Sequence, residues 1–355
     1  MASRTRGLNE RFEPRAAAVG VRHAVGEAAG PAAPESPERP AKSCSVSVIV
    51  ATIDRPALLR EALASIRAIE RDGVSFEILV GDTGVLPETA AVAAEFGAVY
   101  QKVAEQGCAP ARNAVMRLAS GDYIAFLDDD DLWTPHHIHG HLALFNAQPD
   151  LGAVVGQVLM TDAERRPFFE PWPRDLPSGR ELLIRMLSGY FPQVGATVVR
   201  ADVARAVGDM DESLVGGTDW DWQLRIARRY AVGFVPQTCV LFQQRAPGKF
   251  DALQLRRMPF TRKIFFRHAL AEWRIWRSPF QFARSYFGTV TQFFNYFVEA
   301  AIERAKLGDS RGSMYAIGRA TVIFPTRALR MMTRPTPLRM ALVTALTNCL
   351  HSIGV

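Results

Sequence analysis

The sequence predicts an α/β fold: a mostly parallel sheet with helices on both faces, followed by a helical C-terminal region. Short apolar runs rich in β-branched residues recur through the first 200 or so of the 355 residues. Between them lie segments with apolar residues at helical spacing, and alternation of strand with helix builds a parallel sheet covered on both faces. From about residue 250 the runs give way to basic, aromatic-rich helical segments, so a boundary is expected there.

Bulk composition permits a real core, with 48% hydrophobic and 22% charged residues. The net charge of +6 is uneven: +2 over residues 1–42, −7 over 43–250 and +11 over 251–355. An acidic middle and a basic tail imply two surfaces with different partners. Cys44, Cys108, Cys239 and Cys349 are far apart and form no C-x-x-C pair. That argues against a zinc knuckle or a disulfide framework and fits a reducing cytosol. The first residues lack the apolar core of a secretory signal, and no stretch of about 18 apolar residues marks a membrane span.

Residues 1–43, rich in Ala, Pro, Glu and Arg, are expected to be a disordered tail. A sheet domain is expected over 44–250 and the helical region over 251–355. Order begins with the strand Val46-Ser-Val-Ile-Val-Ala51, and Pro56 opens a helix reaching about Arg71. A strand at 76–80, a helix at 89–96, a short strand near Val99 and a helix at 109–119 follow, before the strand Tyr123-Ile-Ala-Phe-Leu127. Further strands are expected near 153–159 and 196–199, with helices near 179–188 and 219–229.

Ligands of such sheets bind beyond the carboxyl ends of the strands. Three strands end in chemically suggestive residues: Thr52-Ile-Asp54, Gly81-Asp-Thr83 and Asp128-Asp-Asp-Asp131. Four consecutive carboxylates repel one another unless a cation sits among them, and Mg²⁺ or Mn²⁺ favours such oxygen ligands. Alternate residues at a strand end point to one side, which pairs Asp128 with Asp130. The plainer alternative is a solvated acidic turn capping the next helix, a role that suits Asp131.

With these motifs in hand, the chain resembles the family 2 glycosyltransferases of the GT-A fold over about residues 45–248. The resemblance rests on ordered motifs: residues 46–66, Glu77-Ile-Leu-Val-Gly-Asp-Thr-Gly84, Gly107-Cys-Ala-Pro-Ala-Arg-Asn-Ala114, residues 119–133 and residues 207–222. It implies an inverting enzyme that carries a sugar from a nucleoside diphosphate, UDP by family habit, to an acceptor hydroxyl in envelope polysaccharide or glycolipid synthesis. By the same resemblance Thr52, Asp54, Asp82, Arg112 and Asp128 line the nucleotide, and Asp130 with Asp128 holds Mn²⁺ or Mg²⁺. Asp219 is the implied catalytic base, the alternative being a simple helix N-cap. Three positions depart from the family pattern: Ile53 for its Tyr, Thr218 for the Glu before the base, and Arg245 where a metal-binding His is frequent. An arginine cannot ligate a metal but can grip a phosphate, which implies weaker metal binding.

His136, His137, His139 and His141 follow the acidic run, and the spacing of His137 and His141 can bind zinc on a helix. No third ligand is evident, and a surface helix is the expected setting. Trp220 is a candidate acceptor contact by stacking, and Trp222 a core residue. Two readings stay open for the basic tail: helices packed on the sheet domain, or a peripheral contact with the inner face of the cytoplasmic membrane, which suits a lipid-linked acceptor. No nucleic-acid-binding module is recognisable. A nucleotidyltransferase lacks support, because Thr52-Ile-Asp-Arg-Pro56 stands where a Gly-rich loop belongs; a non-catalytic nucleotide- or sugar-binding scaffold is the alternative function.

Overall fold

A computed structural model describes residues 44–69, 74–244 and 250–353. The tail expected over 1–43, the helix end expected at Arg71, and Arg245 lie outside the described residues.

The first half alternates strand and helix: β1 (Cys44–Thr52), α1 (Pro56–Arg67), β2 (Val74–Asp82), α2 (Glu88–Glu95), β3 (Val99–Lys102), α3 (Cys108–Met116) and β4 (Tyr123–Asp128). Next come β5 (Leu132–Trp133), α4 (His137–Ala147), β6 (Leu151–Thr161), α5 (Gly179–Met186), β7 (Thr197–Arg200), α6 (Ala201–Val207), α7 (Thr218–Arg229) and β8 (Ala231–Gln243). The C-terminal helices are α8 (Asp251–Ala269), α9 (Trp273–Trp276), α10 (Pro279–Lys306), α11 (Ser310–Ile323), α12 (Pro325–Thr333) and α13 (Pro337–Ile353).

The strands form one eight-stranded sheet in the order β3-β2-β1-β4-β7-β6-β8-β5. Its first four strands are parallel, as the alternation predicts. Beyond them the sheet is mixed, with β6 and β8 again parallel. β7 enters from the opposite end after a one-turn helix at Val194–Ala196, so it runs antiparallel to both β4 and β6. The two-residue β5, not expected from sequence, pairs antiparallel with β8 at the edge.

β1 is buried on both faces, which is why its apolar residues run unbroken. Val46, Val48 and Val50 join the core under α1, α2 and α4, whereas Ile49 joins the opposite core with Phe126, Met186 and Trp222. Each such side chain contributes roughly 1.5–3 kcal/mol by leaving water. In α1, Pro56 presets the first turn, and Leu59, Ala62, Leu63 and Ile66 recur on the buried face.

The basic tail packs against the sheet domain: Ile264, Phe265, Ala269 and Ile275 belong to the same core as Trp222. A second cluster, centred on Phe294 and Phe297, holds α10, α11 and α13 together. Among the described residues no helix is long and apolar enough to cross a membrane.

The α7–α8 contact is pinned by charge. Buried Asp221 accepts hydrogen bonds from Arg267 at 2.9 Å, His268 at 3.0 Å and Arg225 at 3.1 Å. Burial opposes its charge, but His268, Arg225 and Arg267 outweigh that and hold the carboxyl below its ordinary 3.8. A depressed folded-state value means stability present above pH 3.8 and lost as the pH falls through the folded value. We therefore expect Asp221→Asn to cost about 3 kcal/mol in urea unfolding at neutral pH. The gap to the parent chain should narrow as the pH falls below 3.8; a gap that stays constant down to the acid-unfolding midpoint would count against this role.

Candidate active site

Parallel register assembles the site. Thr52 at the end of β1 is level with Asp82 of β2, and Ala51 with Asp128 of β4, so three strand ends present polar residues in one row. Gly81 lets this edge close up, because a Cβ there would collide with the Ala111 carbonyl of α3. The close approach sets Arg112 of α3 against Asp128.

Each expected residue has a definite place. Thr52 is buried and donates its hydroxyl to Asp129 at 2.7 Å. Asp54 sits at φ 50°, a left-handed conformation that Asp tolerates better than most residues. Its Oδ1 accepts the backbone N–H groups of Val85 at 2.6 Å and Leu86 at 2.9 Å, which hold the carboxyl below its ordinary value. It thereby ties the loop after β1 to the loop after β2. Asp82 is fully buried and accepts from Gly84 N–H at 2.7 Å, Tyr100 hydroxyl at 2.8 Å and Lys102 at 3.4 Å. Burial, together with Asp82, pushes the Tyr100 hydroxyl up to about 12.

The acidic run divides its four side chains. Asp128 pairs with the buried Arg112. Burial opposes the charge of Arg112, but Asp128, Cys108 and Asp219 outweigh it and raise its pKa. Asp129 turns inward, where Arg55 Nη2 lies 2.5 Å from Oδ1 as an ion pair off the hydrogen-bonding direction. Burial still pushes the Asp129 carboxyl up to about 6. Asp130 pairs with Arg55 at 2.8 Å, and its carbonyl accepts Arg165 at 2.6 Å.

Asp131 does not cap the next helix. It is buried and accepts Gln193 at 2.8 Å and Gln243 N–H at 2.9 Å, while the N-cap of α4 is His136, with no side-chain cap. Burial, then repulsion from Asp128 and Asp130, raises its carboxyl well above the ordinary range. Ligand atoms of Asp128, Asp130 and Asp131 lie within 4.8 Å of one another, so the cluster is a trio rather than the expected pair. Hard, crowded oxygen donors of this kind fit Mg²⁺ or Mn²⁺.

Asp219 is half-buried in the first turn of α7, whose N-cap is Gly217; the N-cap alternative for Asp219 therefore fails. Its Oδ1 accepts the Trp220 N–H at 2.9 Å, and it lies within electrostatic range of Arg112. Trp220 packs on Phe191 at 4.6 Å, and both line a cleft with Asp219, Arg257, Thr261 and Gln292. Trp222 is fully buried and donates to the Gly208 carbonyl at 2.7 Å, the core position expected of it.

Sequence reasoning missed Arg55, Gln193 and Gln243, which bind the acidic loop. Arg55 stood inside a quoted motif, but its reach to Asp129 depends on β1 lying beside β4. It also missed the contribution of α8 and α10 to the cleft. The histidine pair is not on a surface: His137 and His141 are fully buried, and Cys239 completes a cluster with them.

Comparisons agree with this architecture. The family described as "Glycosyl transferase family 2" matches residues 47–208. The uncharacterized glycosyltransferase YwdF of Bacillus subtilis (strain 168) is 28% identical over 240 residues, covering 64% of this chain and 85% of that protein. Validoxylamine A glucosyltransferase of Streptomyces hygroscopicus subsp. limoneus is 28% identical over 211 residues, covering 50% of this chain and only 46% of the relative. In fold, S. aureus TarS 1-349 in complex with UDP superposes with a TM-score of 0.50 at 14% identity, covering 86% of this chain and 88% of that one. Register, acidic cluster and similarity converge: residues 47–208 match glycosyltransferase family 2, and the chain resembles glycosyltransferases with a GT-A-like sheet and a helical C-terminal region.

Proposed function

We propose that the chain is an inverting transferase that moves a sugar from a nucleoside diphosphate sugar, with UDP as the nucleotide, to a hydroxyl of a saccharide or lipid-linked acceptor, in envelope polysaccharide or glycolipid synthesis. The observation that carries this reading is the convergence of the Asp128–Asp130–Asp131 cluster and Asp219 around the buried Arg112.

Thr52, Asp54 and Asp82 serve the nucleotide side. Asp82 already accepts three hydrogen bonds, so it fixes the strand end and keeps one acceptor position for the base. Arg55 and Arg112 pair with three of the four carboxylates of the acidic run. The crowded oxygens of Asp128 and Asp130, with Asp131, would hold one divalent cation. Bound there, Mn²⁺ or Mg²⁺ supplies positive charge against the diphosphate leaving group.

Asp219 acts as base. Its Oδ1 is held by the Trp220 N–H, which leaves Oδ2 to take the acceptor proton as the acceptor oxygen attacks the anomeric carbon. The bond from that carbon to the diphosphate oxygen breaks on the opposite face, which inverts the configuration. The cleft beside Asp219 receives the acceptor, with Trp220, Arg257 and Gln292 as its contacts. Arg245 remains the proposed phosphate grip.

A peripheral membrane contact belongs to the same proposal. Trp273, Trp276 and Phe280 are 48%, 53% and 80% exposed beside Arg274 and Arg277, the mix of aromatic rings and cations that suits an anionic bilayer surface.

Asp219→Asn should lower turnover by about 10²–10⁴-fold while nucleotide affinity stays within about twofold. Retained turnover would remove Asp219 from the base role. Calorimetric titration with UDP should give metal-dependent binding that Asp130→Ala abolishes; UDP binding indifferent to Mn²⁺ would overturn the metal assignment. In sedimentation with phosphatidylglycerol vesicles the chain should co-pellet, and a Trp273→Ser, Trp276→Ser, Phe280→Ser variant should stay in the supernatant. Equal pelleting of both, or of neither, would reject the membrane contact.

A further inference from the structure

We propose a second, buried metal site that takes a Zn²⁺-like cation on His137, His141 and Cys239. It lies behind the acidic loop, between α4 and β8, and is separate from the carboxylate cluster.

His137 and His141 are four apart on α4 and so share one face. Cys239 meets them from β8. Ligand atoms of the three residues lie within 4.8 Å of one another, and all three side chains are fully buried. A tetrahedral zinc site sets its nitrogen and sulfur ligands about 3.5 Å apart, so small side-chain shifts close the cluster. Room for the thiol exists because residue 156 is glycine: a Cβ there would collide with Cys239 Sγ and come within 3.2 Å of the His141 ring.

The polar accounting of the cluster calls for a cation. Neither ring nitrogen of His137 has a hydrogen-bond partner, although the residue is fully buried. An orphaned buried donor or acceptor costs about 1–3 kcal/mol. His141 has the opposite excess, with Nδ1 2.6 Å from the His137 carbonyl and Nε2 3.1 Å from the Ala196 carbonyl. A neutral imidazole carries one N–H, so one of these contacts sets a lone pair against an oxygen. Burial keeps both rings neutral, the form that ligates metals.

A cation relieves most of this. It accepts a lone pair from each imidazole, which partners one of the two orphaned His137 nitrogens, while the other His141 nitrogen donates to a carbonyl, the usual way a ligating histidine is oriented. Burial pushes the Cys239 thiol up to about 12, and metal binding replaces that proton. One proton is released to solvent per ion bound, the S–H bond breaks and a metal–thiolate bond forms. Two imidazoles and a thiolate select zinc over the hard cations suited to carboxylates. With all three ligand side chains fully buried, the ion staples α4 to β8. Just ahead of α4, Thr134 already bonds β8, its N–H and hydroxyl donating to the Cys239 and Thr238 carbonyls at 3.0 and 2.6 Å.

The test uses the full chain without a histidine tag. Elemental analysis should find about one zinc per chain. Cobalt titration of chelator-treated protein should give a sulfur-to-cobalt charge-transfer band, and a Cys108→Ser variant should keep it, which excludes the thiol near the acidic cluster as its source. Cys239→Ser should abolish the band, and Asp130→Asn should keep it. His137→Leu should lower the melting temperature and remove its sensitivity to chelator. Folded parent chain with neither zinc nor a cobalt–sulfur band overturns the proposal, even if the variants fail to fold. A His137→Leu variant more stable than the parent overturns it too, because the ring would then be only an unsatisfied core residue.

Discussion

Parallel pairing of β1, β2 and β4 in fixed register is the constraint on which the rest depends. Adjacent strands lie about 4.8 Å apart, so acidic groups at their ends are held close whatever their mutual repulsion. The protein meets this strain with a specific partner for each charge. Asp82 has Tyr100 and Lys102, Asp128 has Arg112, and Asp129 and Asp130 share Arg55. Asp131 accepts the neutral amides of Gln193 and Gln243, and burial, then repulsion from Asp128 and Asp130, raises its carboxyl. Charge is thus concentrated and partly compensated, a state poised for a cationic ligand.

The C-terminal helices are part of the same argument. Asp221 stands two residues after Asp219 on α7 and is gripped by Arg267 and His268 of α8. The helix that presents Asp219 is therefore oriented from a segment far away in the chain. Part of the positive charge that marks the tail in sequence is spent on this inward clamp, while Arg274 and Arg277 stay near the exposed tryptophans.

Much of the sheet was legible in sequence, for a physical reason. Strands buried on both faces must be apolar throughout, and the helices between them must be amphipathic, so β1, α1, β2 and β4 announce themselves locally. Motif order singled out Asp128, Asp130 and Asp219, and the first two do lie in one cluster. Long-range geometry was not. Whether Asp131 caps a helix or turns inward depends on Gln193 and Gln243, 62 and 112 residues away. The antiparallel entry of β7 has no local signature, since a four-residue strand reads the same in either direction. Burial of His137 and His141 likewise follows from β8 covering α4, and Cys239 lies too far along the chain to be seen as their partner.

The cleft beside Asp219 has walls of two origins. Phe191 and Trp220 come from the sheet domain, whereas Arg257, Thr261 and Gln292 come from α8 and α10. Substitutions in the helices can reshape the cleft without touching the acidic strand ends. Inheritance of the two halves can therefore proceed at different speeds, with the strand ends kept under charge balance and the helical wall free to drift. A lineage of such chains would diversify what it modifies while conserving how the reaction is run.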